Sequence, residues 1–410
     1  MLRRMIREPF AQNEDVAVQV GEPDIVCLSH LRWQFVFQRP QHLMTQLARR
    51  HRVFFVEEPL FDDQPDHLSV SEVEGGVRVV VPVLDRWRAE HPEQLAVVQR
   101  SLLDRLLRRE QVDHYVLWFY TPMALPFTRH LTAQAVVYDC MDELSGFAGA
   151  PLELKSLERE LLACADLVTT GGRSLFEAKR SLHPNVHPFP SSVDAAHFAR
   201  ARAGVGDGGN QPPDQAAIPR PRIGFAGVID ERMDLSLLTR LALQRPDWQL
   251  VLLGPVAKVD PATLPRLPNV HYLGMKPYAE LPDYMAGWDV GILPFAHNDA
   301  TRFISPTKTP EYLAAGLPVV ATSIRDVVEP YGTSGLARIA DDAVEFAAAI
   351  EAALGEGRCP RLTEVDELLG RGSWAQTAAA IRQLMLRALT TRAMRTEPCA
   401  AGAFGPEELP

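Results

Sequence analysis

Segment 306–322, PTKTPEYLAAGLPVVAT, places a lysine and a glutamate at a predicted helix start. Pro306 and Pro310 favour a helix start here, with Thr307 or Thr309 as the cap. A helix N-terminus at the carboxyl end of a strand can seat a diphosphate, because its free N–H groups and its dipole favour anions. Lys308 would be unfavourable there unless an anion shares the site, and Glu311 could accept hydrogen bonds from a ribose diol. The alternative is a surface Lys308–Glu311 ion pair worth a few tenths of a kcal/mol.

A second group of polar and aromatic side chains follows the first predicted strand, in SHLRWQFVFQRPQH (29–42). Its members are Arg32, Trp33, Gln38, Arg39 and His42. The proline after Arg39 suits the first position of a helix. These side chains could contact sugar hydroxyls or phosphates, with the Trp33 ring stacked on a sugar face. The alternative is that the aromatic residues belong to the core and the arginines are solvated.

Three carboxylates, Asp139, Asp142 and Glu143, lie within five residues at the end of another predicted strand, VVYDC. Such charges repel one another unless they meet sugar hydroxyls, an amine or arginines. A carboxyl group with a raised pKa could act as base toward an acceptor hydroxyl. The alternative is a helix N-cap followed by acids that the helix dipole favours.

Two further strand ends carry polar residues. Tyr120 and Thr121 end LWFYT (117–121) and are predicted to line the same cleft. TGGRS (170–174) is predicted as a strand-to-helix turn. Its glycines and arginine suit phosphate contact, and its serine suits helix capping equally.

Composition excludes several classes of protein. The 410 residues include 42 Lys and Arg against 52 Asp and Glu, a net charge of −10, which argues against nucleic-acid binding through a basic face. Five cysteines without a CxxC pair argue against a disulfide framework or a zinc site and favour a reducing compartment. No apolar run approaches the ~18–20 residues of a membrane span, and the first residues lack the apolar core of a signal peptide. We therefore expect a soluble, cytoplasmic protein. Lysine accounts for only five of the cations, so each lysine is a candidate for a specific role.

Short apolar segments alternate with amphipathic helical segments along most of the chain. In the first half, strands are predicted at 24–29, 53–58, 114–119, 136–140 and 166–170, and helices at 38–50, 94–109, 151–164 and 173–182. In the second half, strands are predicted at 222–227, 248–254, 270–274, 289–295 and 318–322, and helices at 234–243, 279–287, 308–316, 342–354 and 373–392. Segment 68–83 instead predicts a hairpin around Gly75 and Gly76. The alternation predicts an α/β fold with two parallel, doubly wound sheets.

Segment 203–219, AGVGDGGNQPPDQAAIP, interrupts the alternation and is predicted as a linker. The predicted order is a flexible extension (1–22), an N-terminal Rossmann-like domain (23–202), the linker (203–219), a C-terminal Rossmann-like domain (220–372), a crossover helix (373–395) and a disordered tail (396–410). Because ligands of doubly wound sheets bind at the carboxyl ends of the strands, we expect the two domains to share one cleft.

The motif PxKxxEYLAAGxPVV, preceded by a strand ending ILPF, resembles the nucleotide-binding motif of GT-B glycosyltransferases in the family 4 (group 1) superfamily. Segments 29–59, 136–149, 224–235, 254–260 and 269–295 resemble one bacterial branch of it, which includes polysaccharide glycosyltransferases of the teichuronic-acid type. The resemblance covers about residues 23–390. It implies two facing Rossmann-like domains and a C-terminal helix, anchored by Trp374, that crosses back to the N-terminal domain.

The resemblance also implies roles for individual residues. Glu311 matches the ribose-binding glutamate of the family, whereas Phe303 stands where the family typically has a second glutamate that contacts the donor sugar. Lys308, Arg302 and the backbone around 305–307 are the candidates to replace that contact. Asp139 stands where the superfamily has a histidine near the donor sugar. Arg232 is the cation closest to the positions where the family often neutralises the diphosphate.

The predicted site therefore has three parts. The catalytic candidates are Asp139, Asp142, Glu143, Arg232 and Lys308. The donor-binding candidates are Gly227, Pro294, Arg302, Ser305, Thr307, Lys308 and Glu311. The candidates for acceptor or sugar binding are Arg32, Trp33, Arg39, His42 and Tyr120. No metal ion or other cofactor is predicted, because cations and helix N–H groups can stabilise a leaving diphosphate.

The resemblance implies a glycosyltransferase of the hexosyltransferase type (EC 2.4). It would move a sugar from a nucleotide-diphosphate-sugar donor to a cell-surface polysaccharide or lipid-linked acceptor, with retention at the anomeric carbon. The alternatives are a nucleotide-sugar epimerase of the same fold and a catalytically silent sugar-nucleotide-binding subunit, which Phe303 keeps open. Arginines in the helices near 38–52 and 98–109 could contact an anionic membrane peripherally. The alternative for them is a solvated face.

Overall fold

A computed structural model describes residues 22–203, 211–358 and 361–394. Its N-terminal part contains a nine-stranded sheet in the spatial order β3-β5-β2-β1-β6-β7-β8-β9, with β4 paired to β5. The strands are β1 (Asp24–Leu28), β2 (Val53–Val56), β3 (Leu60–Asp62), β4 (His67–Glu72), β5 (Val77–Asp85), β6 (Tyr115–Phe119), β7 (Ala135–Cys140), β8 (Leu167–Thr170) and β9 (Val186–Pro188). The predicted extension lies outside the described residues except for Glu22.

The central strands of this sheet are apolar because helices cover both of its faces. All five residues of β1 are buried, and β1 pairs in parallel with β2 and β6. The predicted hairpin is β4 and β5, which pair antiparallel. Gly75 and Gly76 form its turn with φ of +89° and +79°, values that favour glycine.

The helices along the first part of the chain are α1 (Arg39–Leu47), α2 (Leu95–Arg109), α3 (Leu125–Thr128), α4 (Leu154–Cys164) and α5 (Arg173–Lys179). Single 3₁₀ turns lie at Arg86–Glu90, Pro92–Gln94, Pro122–Ala124 and Leu144–Gly146. The predicted first-half helices correspond to α1, α2, α4 and α5. The short strands β3 and β9 were not predicted, because three residues carry too little periodicity to be distinguished from loop.

The C-terminal sheet has six parallel strands in the order β12-β11-β10-β13-β14-β15. They are β10 (Arg222–Ala226), β11 (Gln249–Leu253), β12 (Val270–Gly274), β13 (Val290–Leu293), β14 (Val319–Ala321) and β15 (Ala337–Ile339). The remaining helices are α6 (Ala195–Ala203), α7 (Pro213–Ala216), α8 (Leu235–Gln244), α9 (Leu281–Ala286), α10 (Lys308–Ala314), α11 (Arg325–Val327), α12 (Ala343–Glu356), α13 (Leu362–Leu369) and α14 (Trp374–Met394), with 3₁₀ turns at Pro261–Thr263 and Tyr278–Glu280. The two sheets confirm the predicted fold of two Rossmann-like domains.

The chain passes from one domain to the other earlier than the sequence indicated. Helix α6 lies before the predicted linker, yet Phe198 and Ala201 are buried in the core of the C-terminal domain. Of the predicted linker, 204–210 lie outside the described residues. The rest includes α7, whose Gln215 is fully buried and accepts a hydrogen bond from Trp288 Nε1. The polar residues of α7 therefore belong to a segment that packs on the C-terminal domain through hydrogen bonds, and α7 is not a free linker.

Helix α14 returns to the N-terminal domain, as predicted. Its buried side chains are Trp374, Ala378, Ile381, Met385 and Ala388. Their spacing of three and four residues places them on one face, and they join the N-terminal core against α1, β7 and β8. Trp374 stacks on the His42 ring, with centroids 4.5 Å apart. The last helix of the described chain thus completes the core of the first domain.

None of the helices in the described parts of the chain is both long and apolar enough to cross a membrane.

Candidate functional site

The N-terminus of α10 carries the predicted lysine and glutamate. Lys308 Nζ donates to Glu311 Oε2 at 2.5 Å, so the alternative of an i,i+3 ion pair is realised. The pair is not on the surface, since the two side chains are only 14% and 7% exposed. Burial raises the pKa of Glu311, and Lys308 opposes that rise. No side chain caps α10. Pro310 has no N–H group, and Thr309 N and Glu311 N donate to the carbonyls of Pro306 and Thr307 at 3.4 and 3.3 Å. The Lys308 ammonium is therefore the main group that this end of the helix offers to an anion.

Three adjoining cavities occupy the cleft between the domains. The central pocket is lined by both domains, including Arg39, Asp142, Gly171, Gly227, Arg232, Ser305, Thr307 and Lys308. The aromatic pocket adjoins it and includes Trp33, Phe35, Phe37, Gly254, Met275 and Tyr278. The histidine pocket adjoins the other side of the central pocket and includes His30, Thr121, Phe147, Asp230 and Lys258.

The pockets share lining residues. Gly227 and Lys308 line both the central and the aromatic pocket. Asp142 and Arg232 line both the central and the histidine pocket. The three cavities therefore form one continuous path.

Arg232 is held rigidly at the junction of two pockets. Its Nε donates to both oxygens of Asp230 at 2.9 and 3.1 Å, and Nη2 donates to Oδ2 at 2.7 Å. Its guanidinium also lies 5.6 Å from the centroid of the Phe147 ring. A paired, oriented arginine at this place can hydrogen-bond a phosphate through its remaining N–H groups.

The three clustered carboxylates have three different environments. Asp142 lines the cleft, where burial raises its pKa and Arg232 partly opposes the rise. Asp139 is fully buried, and its oxygens accept from Arg39 Nε and Nη2 and from Thr169 Oγ1 at 2.8–3.1 Å. Glu143 forms an ion pair with Lys179 at 2.7 Å, and this contact lowers the Glu143 pKa although burial acts to raise it.

Only Asp142 of these three lines the cavities described above. Asp139 instead pairs with Arg39 inside the N-terminal core, and Arg39 also donates to the Phe189 carbonyl at 2.7 Å. The proposed sugar contact of Asp139 is therefore replaced by a structural pairing that fixes α1 against β7. Sequence reasoning placed both residues at strand or helix ends but could not show that they meet each other.

The five residues predicted to bind the acceptor or the sugar also differ in whether they reach the cavities. Arg32 donates to Glu57 and to the Pro59 carbonyl, at 3.1 and 3.0 Å, and so braces a loop. Trp33 packs edge-on against Phe55 at 5.0 Å and lines the aromatic pocket. His42 lies between aromatic rings, and Tyr120 is 1% exposed. Of the five candidates, Trp33 and Arg39 reach the cavities.

The donor candidates outside α10 also differ in position. Gly227, Ser305 and Thr307 line the central pocket. Pro294 is buried at the end of β13, where its carbonyl accepts from Asp234 N at 2.8 Å. Arg302 is exposed, with its guanidinium 5.1 Å from the Phe303 ring centroid.

Phe303 packs against the core of the N-terminal domain and does not line the three pockets. The residue that departs from the family pattern therefore contributes to contact between the domains and does not block the cleft.

The turn TGGRS has a partner in the other domain. Asp326 of α11 accepts from the backbone N–H groups of Arg173 and Ser174 at 2.8 and 3.0 Å. A Cβ on Gly172 would lie 2.2 Å from Asp326 Oδ2, so the close approach needs a glycine there. A carboxylate of the C-terminal domain therefore takes the place of the phosphate or serine cap considered above.

Loop 144–150 spans the cleft above the histidine pocket. Its Ala148 N–H donates to Glu231 at 3.0 Å, and a Cβ on Gly146 would lie 2.6 Å from the Asp299 carbonyl oxygen. Phe147 lies between two cations, 5.6 Å from Arg232 and 5.4 Å from Lys258. The loop thus joins the N-terminal domain to the residues that line the central pocket.

Sequence reasoning did not single out four residues of this cleft, which are His30, Phe147, Lys258 and Tyr278. His30 and Phe147 lie inside segments that carried the family resemblance, and Lys258 is one of the five lysines. Tyr278 contacts the rings of Phe37 and His197 at 4.7 and 4.4 Å. The scarcity of lysine was the available signal for Lys258, because Lys258, Lys276 and Lys308 all line pockets of the cleft.

Solved structures of other proteins share this two-domain architecture. Sucrose-phosphate synthase from Thermosynechococcus elongatus is 17% identical, with a TM-score of 0.67 over 90% of this chain and 100% of that chain. Trehalose-6-phosphate synthase OtsA is 15% identical, with a TM-score of 0.63 over 88% of this chain and 99% of that chain. At these identities the likeness shows the fold, which is GT-B.

Sequence comparison goes further. Residues 220–356 match the family described as "Glycosyl transferases group 1". The Bacillus subtilis (strain 168) protein named "Putative teichuronic acid biosynthesis glycosyltransferase TuaH" is 30% identical over 278 residues, which are 62% of this chain and 68% of that protein. With this identity and coverage, and with the uncapped α10 facing the cleft, the chain belongs to the group 1 family of glycosyltransferases.

Proposed function

We propose that the protein transfers a sugar from a nucleoside-diphosphate sugar to a hydroxyl of a cell-surface polysaccharide or lipid-linked acceptor, with retention at the anomeric carbon. The observation that carries the donor proposal is the uncapped N-terminus of α10 with Lys308 in its first turn. Arg232 lines the same central pocket from another loop. A leaving diphosphate between these groups would meet two cations, which stabilise the charge that develops as the sugar leaves.

The order of the pockets supports an assignment of the donor. The aromatic pocket has a volume of about 570 Å³ and exposes the rings of Phe35 and Phe37, so it suits a nucleobase and ribose. Glu311 holds Lys308 through one oxygen and retains lone pairs for ribose hydroxyls. The diphosphate would then occupy the central pocket, and the sugar would point toward the histidine pocket. The structure of a trehalose-6-phosphate protein from E. coli is described as bound with UDP-2-fluoro glucose, which supports a nucleotide-sugar donor here.

The histidine pocket favours sugar transfer over the two alternatives, a nucleotide-sugar epimerase and a catalytically silent subunit. It has a volume of about 380 Å³ beyond the predicted position of the sugar, space that an epimerase does not need for a second substrate. Phe303, the feature that favoured a silent subunit, lies outside the pockets. The name of the 30% identical relative, with its reference to teichuronic acid biosynthesis, supports a polysaccharide as acceptor.

We propose that the reaction needs no metal ion, because Lys308 and Arg232 supply the positive charge on the diphosphate. Activity should then survive treatment with EDTA. Loss of activity in EDTA that added Mg²⁺ or Mn²⁺ restores would contradict this part of the proposal.

We propose a cytoplasmic location with peripheral membrane contact. Arg49, Arg50, Arg100, Arg105 and Arg108 are exposed on or beside α1 and α2, and anionic lipids would attract them. Arg39 does not belong to this face, since it is 2% exposed and paired with Asp139. Co-sedimentation with vesicles of phosphatidylglycerol, compared with phosphatidylcholine vesicles, tests the contact.

The central experiment is a thermal-shift screen of UDP-, GDP-, ADP- and dTDP-sugars, followed by detection of the released nucleoside diphosphate. A bound donor raises the melting temperature by mass action. Glu311→Ala should abolish the shift, whereas Glu177→Ala, on an exposed ion pair with Arg325, should leave it unchanged. A Glu311→Ala protein that binds and cleaves donors like the wild type would refute the proposal.

A further inference from the structure

His30 lies two residues beyond β1, at the edge of the N-terminal sheet that faces the cleft. It lines the histidine pocket together with Thr121 and Asp142 of its own domain and with Arg232 and Lys258 of the other. Because Asp142 and Arg232 also line the central pocket, His30 belongs to the part of the path beyond the predicted diphosphate position. This is where a second substrate must approach the sugar.

The imidazole of His30 is uncharged near neutral pH. Burial and the Lys258 ammonium lower its pKa to about 4, against a smaller opposing effect of the Tyr120 backbone. A neutral imidazole has one acceptor nitrogen and one N–H donor, so it can hydrogen-bond a hydroxyl group in either sense.

His30 Nδ1 is buried and has no hydrogen-bond partner among the residues that the structure describes. An unpaired buried polar atom costs about 1–3 kcal/mol and calls for an explanation. A ligand hydroxyl, or a shift of the ring as a ligand enters, would supply the missing partner.

Two neighbouring polar side chains of the pocket already have partners. Asp230 accepts from Arg232, and Thr121 Oγ1 accepts from Met123 N at 3.2 Å. The charge of Arg232 opposes the rise in the pKa of Asp142, which also lines the central pocket. His30 Nδ1 therefore differs from Asp230 and Thr121 in having no partner among the described residues.

We propose that the imidazole of His30 accepts a hydrogen bond from the attacking hydroxyl group and so orients its oxygen toward the sugar. This inference rests on the proposed function and deepens it, because it identifies which side chain of the histidine pocket meets the second substrate. Water entering the same place would be oriented in the same way, so slow hydrolysis of the donor also depends on His30.

The test compares wild type with His30→Ala, His30→Gln and the control His67→Ala, whose histidine is exposed on β4. The donor is the nucleotide sugar that stabilises the wild type most in the thermal-shift screen. Its cleavage is followed with water alone and with octyl β-D-glucoside as a probe acceptor. Binding of the corresponding nucleoside diphosphate is measured by calorimetry for each variant.

His30→Ala should lower kcat for donor cleavage at least tenfold while the donor KM and the nucleotide affinity stay within twofold of wild type. His30→Gln should recover part of the loss, because its amide oxygen can accept a hydrogen bond, and His67→Ala should match the wild type. An unchanged kcat in His30→Ala would overturn the inference. A raised donor KM with unchanged kcat would also overturn it, by placing His30 in the donor site.

Failure of the proposed function would look different. In that case the wild type itself would bind none of the nucleotide sugars in the screen, before any His30 variant is compared.

Discussion

Helices α5 and α10 both begin beside the cleft, α5 directly after β8 and α10 after the longer loop that follows β13. At α5, Asp326 of the other domain accepts from Arg173 N and Ser174 N. At α10 no side chain caps the helix, and Lys308 lines two pockets beside it. One helix start therefore serves as a contact between domains, whereas the other is the proposed anion site. The two helices differ in that a carboxylate of the opposite domain accepts from the first N–H groups of α5, whereas no side chain caps α10.

The largest expected effect is at α10. Lys308→Ala removes a cation from the proposed diphosphate position and leaves the buried Glu311 without its partner. The affinity for the nucleoside diphosphate should fall about 100-fold, or about 2.7 kcal/mol, measured by calorimetry. Lys308→Arg should retain most of the affinity, and Lys155→Ala, at an exposed site, all of it. Equal affinity in Lys308→Ala and wild type would mean that the open N-terminus of α10 is not the anion site.

The second prediction concerns the pH dependence of stability that arises from His42, whose pKa is affected by Lys308 of α10. Burial and the nearby charges of Lys308 and His197 lower the pKa of His42 to about 3. The unfolded state therefore binds more protons below about pH 6.5, and the folded state loses stability as the pH falls from there toward 3. His42→Phe keeps a ring against Trp374 and removes this term.

Urea unfolding at pH 7 and pH 5 measures the effect of His42. The loss of unfolding free energy between the two pH values should be about 2 kcal/mol smaller in His42→Phe than in wild type. Equal losses would show that His42 is protonated in the folded protein at pH 5.

The third prediction concerns α5. Asp326→Ala removes the acceptor for two backbone N–H groups, and the free energy of unfolding should fall by about 1–2 kcal/mol. Because the contact joins the domains, kcat for donor cleavage should fall several-fold while nucleotide affinity is retained. Asp342 accepts from Val344 N and Glu345 N within the C-terminal domain, so Asp342→Ala is a matched control that should cost stability alone. A kcat that is unchanged in Asp326→Ala would separate the contact from the reaction.

The smallest effect is expected for Glu177→Ala, also on α5. The Glu177–Arg325 pair joins the domains at 2.5 Å, but its side chains are 40% and 58% exposed. Exposed pairs contribute at most about 1 kcal/mol, so unfolding should change by less than that in chemical denaturation. A larger loss would indicate that Asp326 and Glu177 act as one unit.

The parts of the fold that could be predicted from sequence are those with local signals. Buried parallel strands show as continuous apolar runs, and the lysine and glutamate of α10 lie in a helix start marked by two prolines. The pairing of Arg39 with Asp139 could not be predicted, because it joins residues 100 positions apart through the packing of α1 on the sheet. The role of Asp326 was equally hidden, since its partners belong to the other domain. Residues that act across the cleft acquire their role only when both domains are folded.

The return of α14 has a consequence for synthesis. Residues that complete the N-terminal core, from Trp374 to Ala388, are nearly the last of the described chain to be translated. At roughly 5–20 residues per second, they follow the end of β9 at Pro188 by roughly 10–40 s. During that interval the surfaces of α1, β7 and β8 that α14 covers remain unshielded on the ribosome. The first domain to emerge is thus the last to be finished, and a nascent chain that stops before residue 374 should be a substrate for chaperones and proteases.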